Sequence, residues 1–125
     1  MKETLIIIIV LLIIFVPNFL FKNYLKDTGK DLLDILESMN DDIANEKDID
    51  KGKSEALKNA FSEKEGKWIM IVDHEILDEI EDGVEECVSY YNENEKTDFN
   101  SSFGKLKSHI EDLYKREEIS LVNIL

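Results

Sequence analysis

The segment HEILD, at positions 74–78, contains a histidine and two acidic residues, which are residue types that bind zinc. His74 and Asp78 are four residues apart, so they would share one face of a helix. The helix of a zinc protease carries two histidines four residues apart, with a glutamate between them as the general base. In this chain the fifth position is Asp78, and the other histidine, His109, belongs to a different predicted helix. The segment is better explained as a helix start that Asp73 caps, with its histidine and glutamate exposed in the first turn. We therefore predict no metal site here.

A second segment, Asp48–Glu55, has the acidic residues of a calcium-binding loop. An EF-hand loop requires glycine at its sixth position and glutamate at its twelfth. Counted from Asp48, Gly52 is fifth and Asn59 is twelfth, so the pattern fails. The segment is interpreted as a turn that leads into a helix.

Signatures of other enzyme classes are missing, namely a glycine-rich phosphate loop, a nucleophile-elbow serine and paired cysteines. Cys87, the single cysteine, cannot form an internal disulfide and falls on the apolar stripe of a predicted helix. We predict that the chain is not an enzyme and has no catalytic residue, metal ligand or cofactor.

The predicted helix that follows Asp73 carries an acidic face opposite its apolar stripe, which runs from Ile76 to Tyr91. Such a face is usually solvated, because like charges repel and water screens them. The alternative is a docking surface for a basic partner segment or for loosely held divalent cations. This possible interaction face comprises Asp73, His74, Glu75, Asp78, Glu79, Asp82, Glu85 and Glu86.

Apolar residues at helical spacing predict an all-α fold, in which an antiparallel bundle of three to four helices follows an N-terminal transmembrane helix. The first helix continues to about residue 40, Ser54 caps the second, and Asp73 caps the third unless the second and third are continuous. Polar loops are predicted at 40–52 and 92–97, and the C-terminal ISLVNIL is expected to dock on the bundle. The predicted stripes are Leu25, Leu32, Leu36, Met39 and Ile43; Leu57, Phe61, Trp68 and Ile71; Ile76, Ile80, Val84, Cys87 and Tyr91; Phe99, Phe103, Leu106, Ile110 and Leu113.

The transmembrane prediction depends on Leu5–Phe21, seventeen residues without a charge. No small-x-small cleavage pattern follows them, so we expect the segment to be retained rather than removed as a signal peptide. Extending the span to Leu25 covers a hydrocarbon core of about 30 Å, with Lys22 reaching the interface. We predict a membrane anchor at residues 1–25, which contacts the lipid bilayer through Leu5–Leu25, and an acidic helical-bundle domain at residues 26–125.

The charge pattern bears on partners and on sidedness. A formal net charge of −13 argues against nucleic acid as a partner, because nucleic acid requires a basic surface. Lys22, Lys26 and Lys30 come after the apolar run and favour a cytoplasmic domain by the positive-inside rule. Short N-terminal signal anchors usually export the domain on their C-terminal side, and on that ground we predict a single-pass protein of the cell membrane with an extracytoplasmic domain.

Three stretches together resemble a known family: LIIIIVLLIIFV near the start, IVDHEILDEIE in the centre and KREEISLVNIL at the end. The most specific pieces are Asp73-His74-Glu75 followed by Ile80-Glu81, and Ser120-Leu121 with Asn123-Ile124-Leu125. They resemble domain of unknown function 4363, a family of small bacterial proteins. The resemblance implies a single-span membrane protein with a helical domain and brings no known activity.

Three functions remain open at this point. The first is a non-enzymatic accessory subunit of a membrane protein assembly, which pairs with a larger membrane protein or with further copies of itself. The second is a membrane-tethered sensor that holds a small ligand between helices near Trp68 and Tyr91. The third is a metal-dependent enzyme that uses His74 with nearby acids. We expect the first.

Overall fold

The computed structural model describes the backbone of residues 1–124 and the side chains of residues 1–115. The described backbone forms four helices and no strand: α1 (Lys2–Ala44), α2 (Lys51–Trp68), α3 (His74–Asn92) and α4 (Lys96–Ile124). This arrangement confirms the all-α prediction. The expected docking of the C-terminal ISLVNIL concerns side chains that lie outside the described residues.

Helix α1 is 43 residues long and changes character along its length. From Leu5 to Phe21 nearly every apolar side chain is exposed, and this part is long and apolar enough to cross a membrane, although a signal sequence meets the same criteria. From Leu25 onward one stripe of α1 is buried. Pro17 lies inside the helix without ending it, and no glycine interrupts the chain before Gly29. The helix is therefore continuous from its apolar part into the bundle.

The end of the predicted membrane span needs a correction at Leu25. This side chain is only 2% exposed and belongs to the apolar core of the bundle, so protein and not lipid surrounds it. The C-terminal end of α1 also differs, because the helix continues to Ala44 and not to about residue 40. Met39 and Ile43 explain the extension, since both are buried and extend the same stripe by one more turn.

The four helices form an antiparallel bundle in which each packs against its neighbours in chain order and α4 returns to α1. Three contacts fix the register of α1 and α2. Lys53 pairs with Asp42, Lys64 pairs with Asp31, and the Trp68 indole donates a hydrogen bond to Thr28 at 3.0 Å. As the residue number rises along α2, the number of the facing residue in α1 falls, which is the relation between antiparallel helices. The end of α2 consequently lies beside the point where α1 leaves the bundle.

The sequence predicts Ser54 as the cap of α2, and this prediction is wrong because the cap is Asp50. The Asp50 side chain accepts a hydrogen bond from the Gly52 amide at 2.9 Å, which satisfies one of the free amides of the first turn. Ser54 is buried inside the helix, where its hydroxyl donates to the Asn92 side chain at 2.6 Å. Its polar group therefore joins α2 to the end of α3.

Helices α2 and α3 are separate, so the alternative of one long helix is wrong. Helix α2 ends at Trp68, and the chain turns through Ile69–Val72 before α3 starts after Asp73. No glycine or proline breaks the helix here. The turn is instead held by tertiary contacts, because Trp68 is fully buried against α1, and Ile71 and Val72 pack on the core. Asp73 precedes α3 as predicted, but its side chain makes no capping hydrogen bond.

The predicted stripe of α3 is nearly that of the structure. Leu77 is buried where Ile76 was expected to be, and Val88 is buried as well, while Ile76 is only partly covered. Cys87 is fully buried, and desolvation raises the pKa of its thiol to about 12. A thiol in that setting stays protonated and unreactive at neutral pH.

A buried polar cluster joins three helices at the end of the bundle remote from the apolar part of α1. Asp42 is 6% exposed and accepts hydrogen bonds from Lys53 at 2.7 Å and from the Tyr91 hydroxyl at 2.9 Å. The Tyr91 hydroxyl in turn accepts from the Asp50 amide. The hydrogen bond from Lys53 lowers the pKa of Asp42, and burial raises the pKa of Tyr91. The cluster therefore contains a carboxylate that must be ionised to hold its partners.

We predict that Asp42→Asn destabilises the bundle in a pH-dependent manner. At pH 7 the free energy of unfolding should fall by about 1–3 kcal/mol, because a charge-assisted hydrogen bond to Lys53 is lost. The folded pKa of Asp42 is lowered, so its contribution is complete above the ordinary value of 3.8 and is lost as pH falls through the lower folded pKa. The difference between variant and wild type should shrink accordingly below about pH 4.

Denaturant unfolding of the full chain in mild detergent measures this, with fluorescence of Trp68, the single tryptophan, as the signal. Asp41→Asn is the matched control, since Asp41 is the exposed neighbour of Asp42. An Asp42→Asn chain as stable as the control at pH 7, or a difference that does not change with pH, would contradict the role of the cluster.

Candidate interaction surface

The acidic face predicted on α3 does not form one uniform surface in the structure. Two of its members face α4: Glu79 lies 3.4 Å from His109, and Glu86 accepts a hydrogen bond from Ser102 at 3.3 Å. Glu85 faces the opposite neighbour and lines a groove beside α2. The remaining members, Asp73, His74, Glu75, Asp78 and Asp82, are exposed. Only part of the predicted face therefore belongs to a concave surface.

The groove lies between α2 and α3 and has a volume of about 480 Å³. Phe61, Val84 and Val88 supply its apolar surface. Glu65, Glu81 and Glu85 add three carboxylates, which face a single basic residue, Lys58. The polar side chains of Ser62, Ser89 and Asn92 complete the lining. A surface of this kind combines apolar contact area with an excess of negative charge.

Two glutamates of the groove come from different helices and repel each other. The charge of Glu65 raises the pKa of Glu81 above its ordinary value, with a further contribution from Glu85 on the next turn of α3. Desolvation by burial also raises this pKa, so repulsion and partial burial both disfavour the ionised form of Glu81. A positively charged group placed in the groove would therefore be stabilised by all three carboxylates.

Sequence reasoning missed Glu65 and Glu81 as members of a shared surface. Glu81 directly follows the core residue Ile80 and was not counted on the acidic face. Glu65 belongs to another helix, and its distance from Glu81 depends on how α2 packs against α3. The signal in the sequence is the spacing of Glu81 and Glu85, four residues apart, which places them on one helical face.

The aromatic residues proposed for a ligand site are occupied by protein contacts. Trp68 is fully buried, meets the Phe61 ring at 6.4 Å and donates to Thr28. Tyr91 is fully buried at the other end of the bundle, against Phe99. A ligand shared between these two rings would need space that the core fills, so the structure does not support that version of a sensor.

The metal hypotheses find no further support in the geometry. His74 is exposed in the first turn of α3. Among the side chains of residues 1–115, no three His, Cys, Asp or Glu groups are placed to hold one metal ion. The segment 48–55 contains the turn and the first residues of α2, with Asp50 engaged as the cap.

Comparison with known proteins gives one match. The family model described as domain of unknown function DUF4363 matches residues 19–124. No curated protein and no solved structure matches. The matched region includes all of α2, α3 and the described part of α4 together with the bundle half of α1. Because the match extends over most of its length, the chain belongs to the DUF4363 family.

Proposed function

We propose that the chain is a non-enzymatic accessory subunit of a membrane protein assembly, anchored in the cell membrane by the first part of α1. One observation carries this proposal. The apolar side chains of residues 5–21 are largely exposed, while the same helix continues into the core of the bundle. An exposed apolar surface of that extent is unfavourable in water and is covered favourably by lipid.

Two features support retention of this segment over removal as a signal peptide. The residues after the apolar run lack the small side chains of a cleavage site. They also form continuous helix from Val16 through Leu25, whose last residue is already in the bundle core. Lipid thus surrounds the first part of α1, while the remainder folds at the membrane surface.

We further propose that the bundle lies outside the cytoplasm, as expected for a short N-terminal signal anchor. A C-terminal fusion to alkaline phosphatase, which is active only after export, tests this orientation. We expect activity from the fusion to the full chain. A fusion to β-galactosidase is the reciprocal control and should be inactive. The opposite pair of results would place the bundle in the cytoplasm, in agreement with Lys22, Lys26 and Lys30 and against this proposal.

The partner surface is the acidic groove between α2 and α3. It extends along α3 from Glu81 to Asn92, which is about 16 Å of helix at 1.5 Å per residue. This length accommodates roughly three turns of a partner helix. The apolar lining would receive the apolar side of that helix, and the carboxylates would pair with lysines or arginines beside it. The groove therefore favours a basic amphipathic segment of a larger membrane protein.

We predict that a model basic amphipathic peptide binds this groove. The probe is a fluorescent helical peptide of leucine and lysine, and the full chain is held in nanodiscs of zwitterionic lipid. The double variant Glu81→Gln/Glu85→Gln should raise the Kd at least about fivefold, because one or two ion pairs of roughly 1 kcal/mol are lost. Fluorescence anisotropy measures the binding, which should weaken as salt increases.

The matched control is Asp78→Asn/Asp82→Asn, which removes the same two charges from exposed positions of α3 outside the groove. It should change the Kd by less than about twofold. If both variants weaken binding equally, only the net charge of the chain attracts the peptide. That result, or an absence of binding to the wild-type chain, would overturn the assignment of the groove.

A further inference from the structure

The turn between α2 and α3 exposes two large apolar side chains side by side. Ile69 is 47% exposed and Met70 is 84% exposed. Among the described side chains, these are the exposed large apolar residues outside the N-terminal part of α1. Single exposed apolar residues are common on protein surfaces. Here the two are adjacent in the sequence, and both lie at the end of the bundle where α1 leaves it.

The register of α1 and α2 fixes the height of this turn. Lys53 pairs with Asp42, Lys64 with Asp31 and Trp68 with Thr28, so Met70 lies at about the level of residue 25 or 26 of α1. The exposed apolar run of α1 ends at Phe21. Four residues of helix separate these levels, which is about 6 Å along the axis.

That distance matches the thickness of a lipid headgroup layer. The layer between hydrocarbon and water is about 5–8 Å on each side of a bilayer. If the apolar run of α1 occupies the hydrocarbon up to Phe21, the turn lies within the headgroup layer. Lys26 and Lys67 are exposed near the same level. Lysine side chains at a membrane interface typically extend their charged ends toward lipid phosphates.

The two other turns of the bundle provide an internal comparison. They lie at the opposite end, between α1 and α2 at residues 45–50 and between α3 and α4 at residues 93–95. Their exposed side chains are polar or charged, and Ile49 is partly covered by the core. Among these three turns, exposure of large apolar side chains is thus confined to the one near the apolar part of α1.

We propose that Ile69 and Met70 insert into the lipid interface and form a second membrane contact beside the anchor. This inference rests on the proposed anchoring of α1. Two contacts on different helices restrain the bundle against tilting about the end of the anchor. The acidic groove is then presented at a defined height above the bilayer.

Site-directed spin labelling of the full chain in liposomes tests the proposal. Nitroxides are attached to Met70→Cys, to Glu93→Cys in an opposite turn and to Leu12→Cys in the anchor, each as a single variant. Native Cys87 is buried, and the pKa of its thiol is about 12, so it does not compete for the reagent. Trp68 fluorescence, recorded before the nitroxide is attached, verifies that each variant keeps its core.

The readout is the ratio of collision with oxygen, which concentrates in lipid, to collision with a water-soluble nickel chelate. We expect this ratio at position 70 to exceed that at position 93 by roughly threefold, because the chelate is excluded from apolar surroundings. Equal ratios at positions 70 and 93, with a high ratio at position 12, would overturn the lipid contact and leave the anchor intact. Low ratios at all three positions would overturn both proposals. Spectral broadening between labels at position 70 would show a second copy of the chain on the turn and would also overturn the inference.

Discussion

The continuity of α1 is the constraint on which the other features of this protein depend. A helix satisfies its backbone hydrogen bonds internally, so the same secondary structure is stable in apolar surroundings and in a folded core. In α1 the exposed apolar run ends at Phe21 and the buried stripe begins at Leu25, without a glycine or proline between them. The apolar part and the bundle are therefore mechanically connected, with no flexible linker between them.

Polar contacts at the two ends of the bundle complement the apolar packing between them. Apolar burial is non-directional, and it leaves the longitudinal register of neighbouring helices weakly specified. The hydrogen bond from Trp68 to Thr28 fixes one end of α2, and the cluster of Asp42, Lys53 and Tyr91 fixes the other. The cluster of Asp42, Lys53 and Tyr91 also holds the end of α3, because Tyr91 belongs to that helix. These contacts determine how α2 and α3 lie beside each other, and hence the shape of the groove between them.

Much of the fold was predictable, because each helix has apolar residues at regular spacing. The four helical segments, the start of α3 after Asp73 and the burial of Cys87 all result from that periodicity. The cap of α2 was not predictable in the same way. Asp50 and Ser54 are both good capping residues, and only the burial of Ser54 against Asn92 distinguishes them. The separation of α2 from α3 likewise depends on tertiary contacts of Trp68.

The groove was predictable only in part, for a similar physical reason. The abundance of acids on α3 was evident, and Glu85 was among the residues named. The proximity of Glu81 to Glu65, which repel each other, depends on the packing of α2 against α3. The connection between these two helices contains no glycine or proline that would mark a turn in the sequence. The division of the acidic face into a side toward α4 and a side toward α2 depends on the same packing.

Intact-protein mass spectrometry of the chain from fractionated cells is the most direct test of the central claim that α1 is retained whole. The account predicts a mass that includes residues 2–24, found in the membrane fraction and released by detergent but not by alkaline carbonate. A freely soluble chain that begins after Tyr24 would contradict it, since the bundle would then act without its anchor.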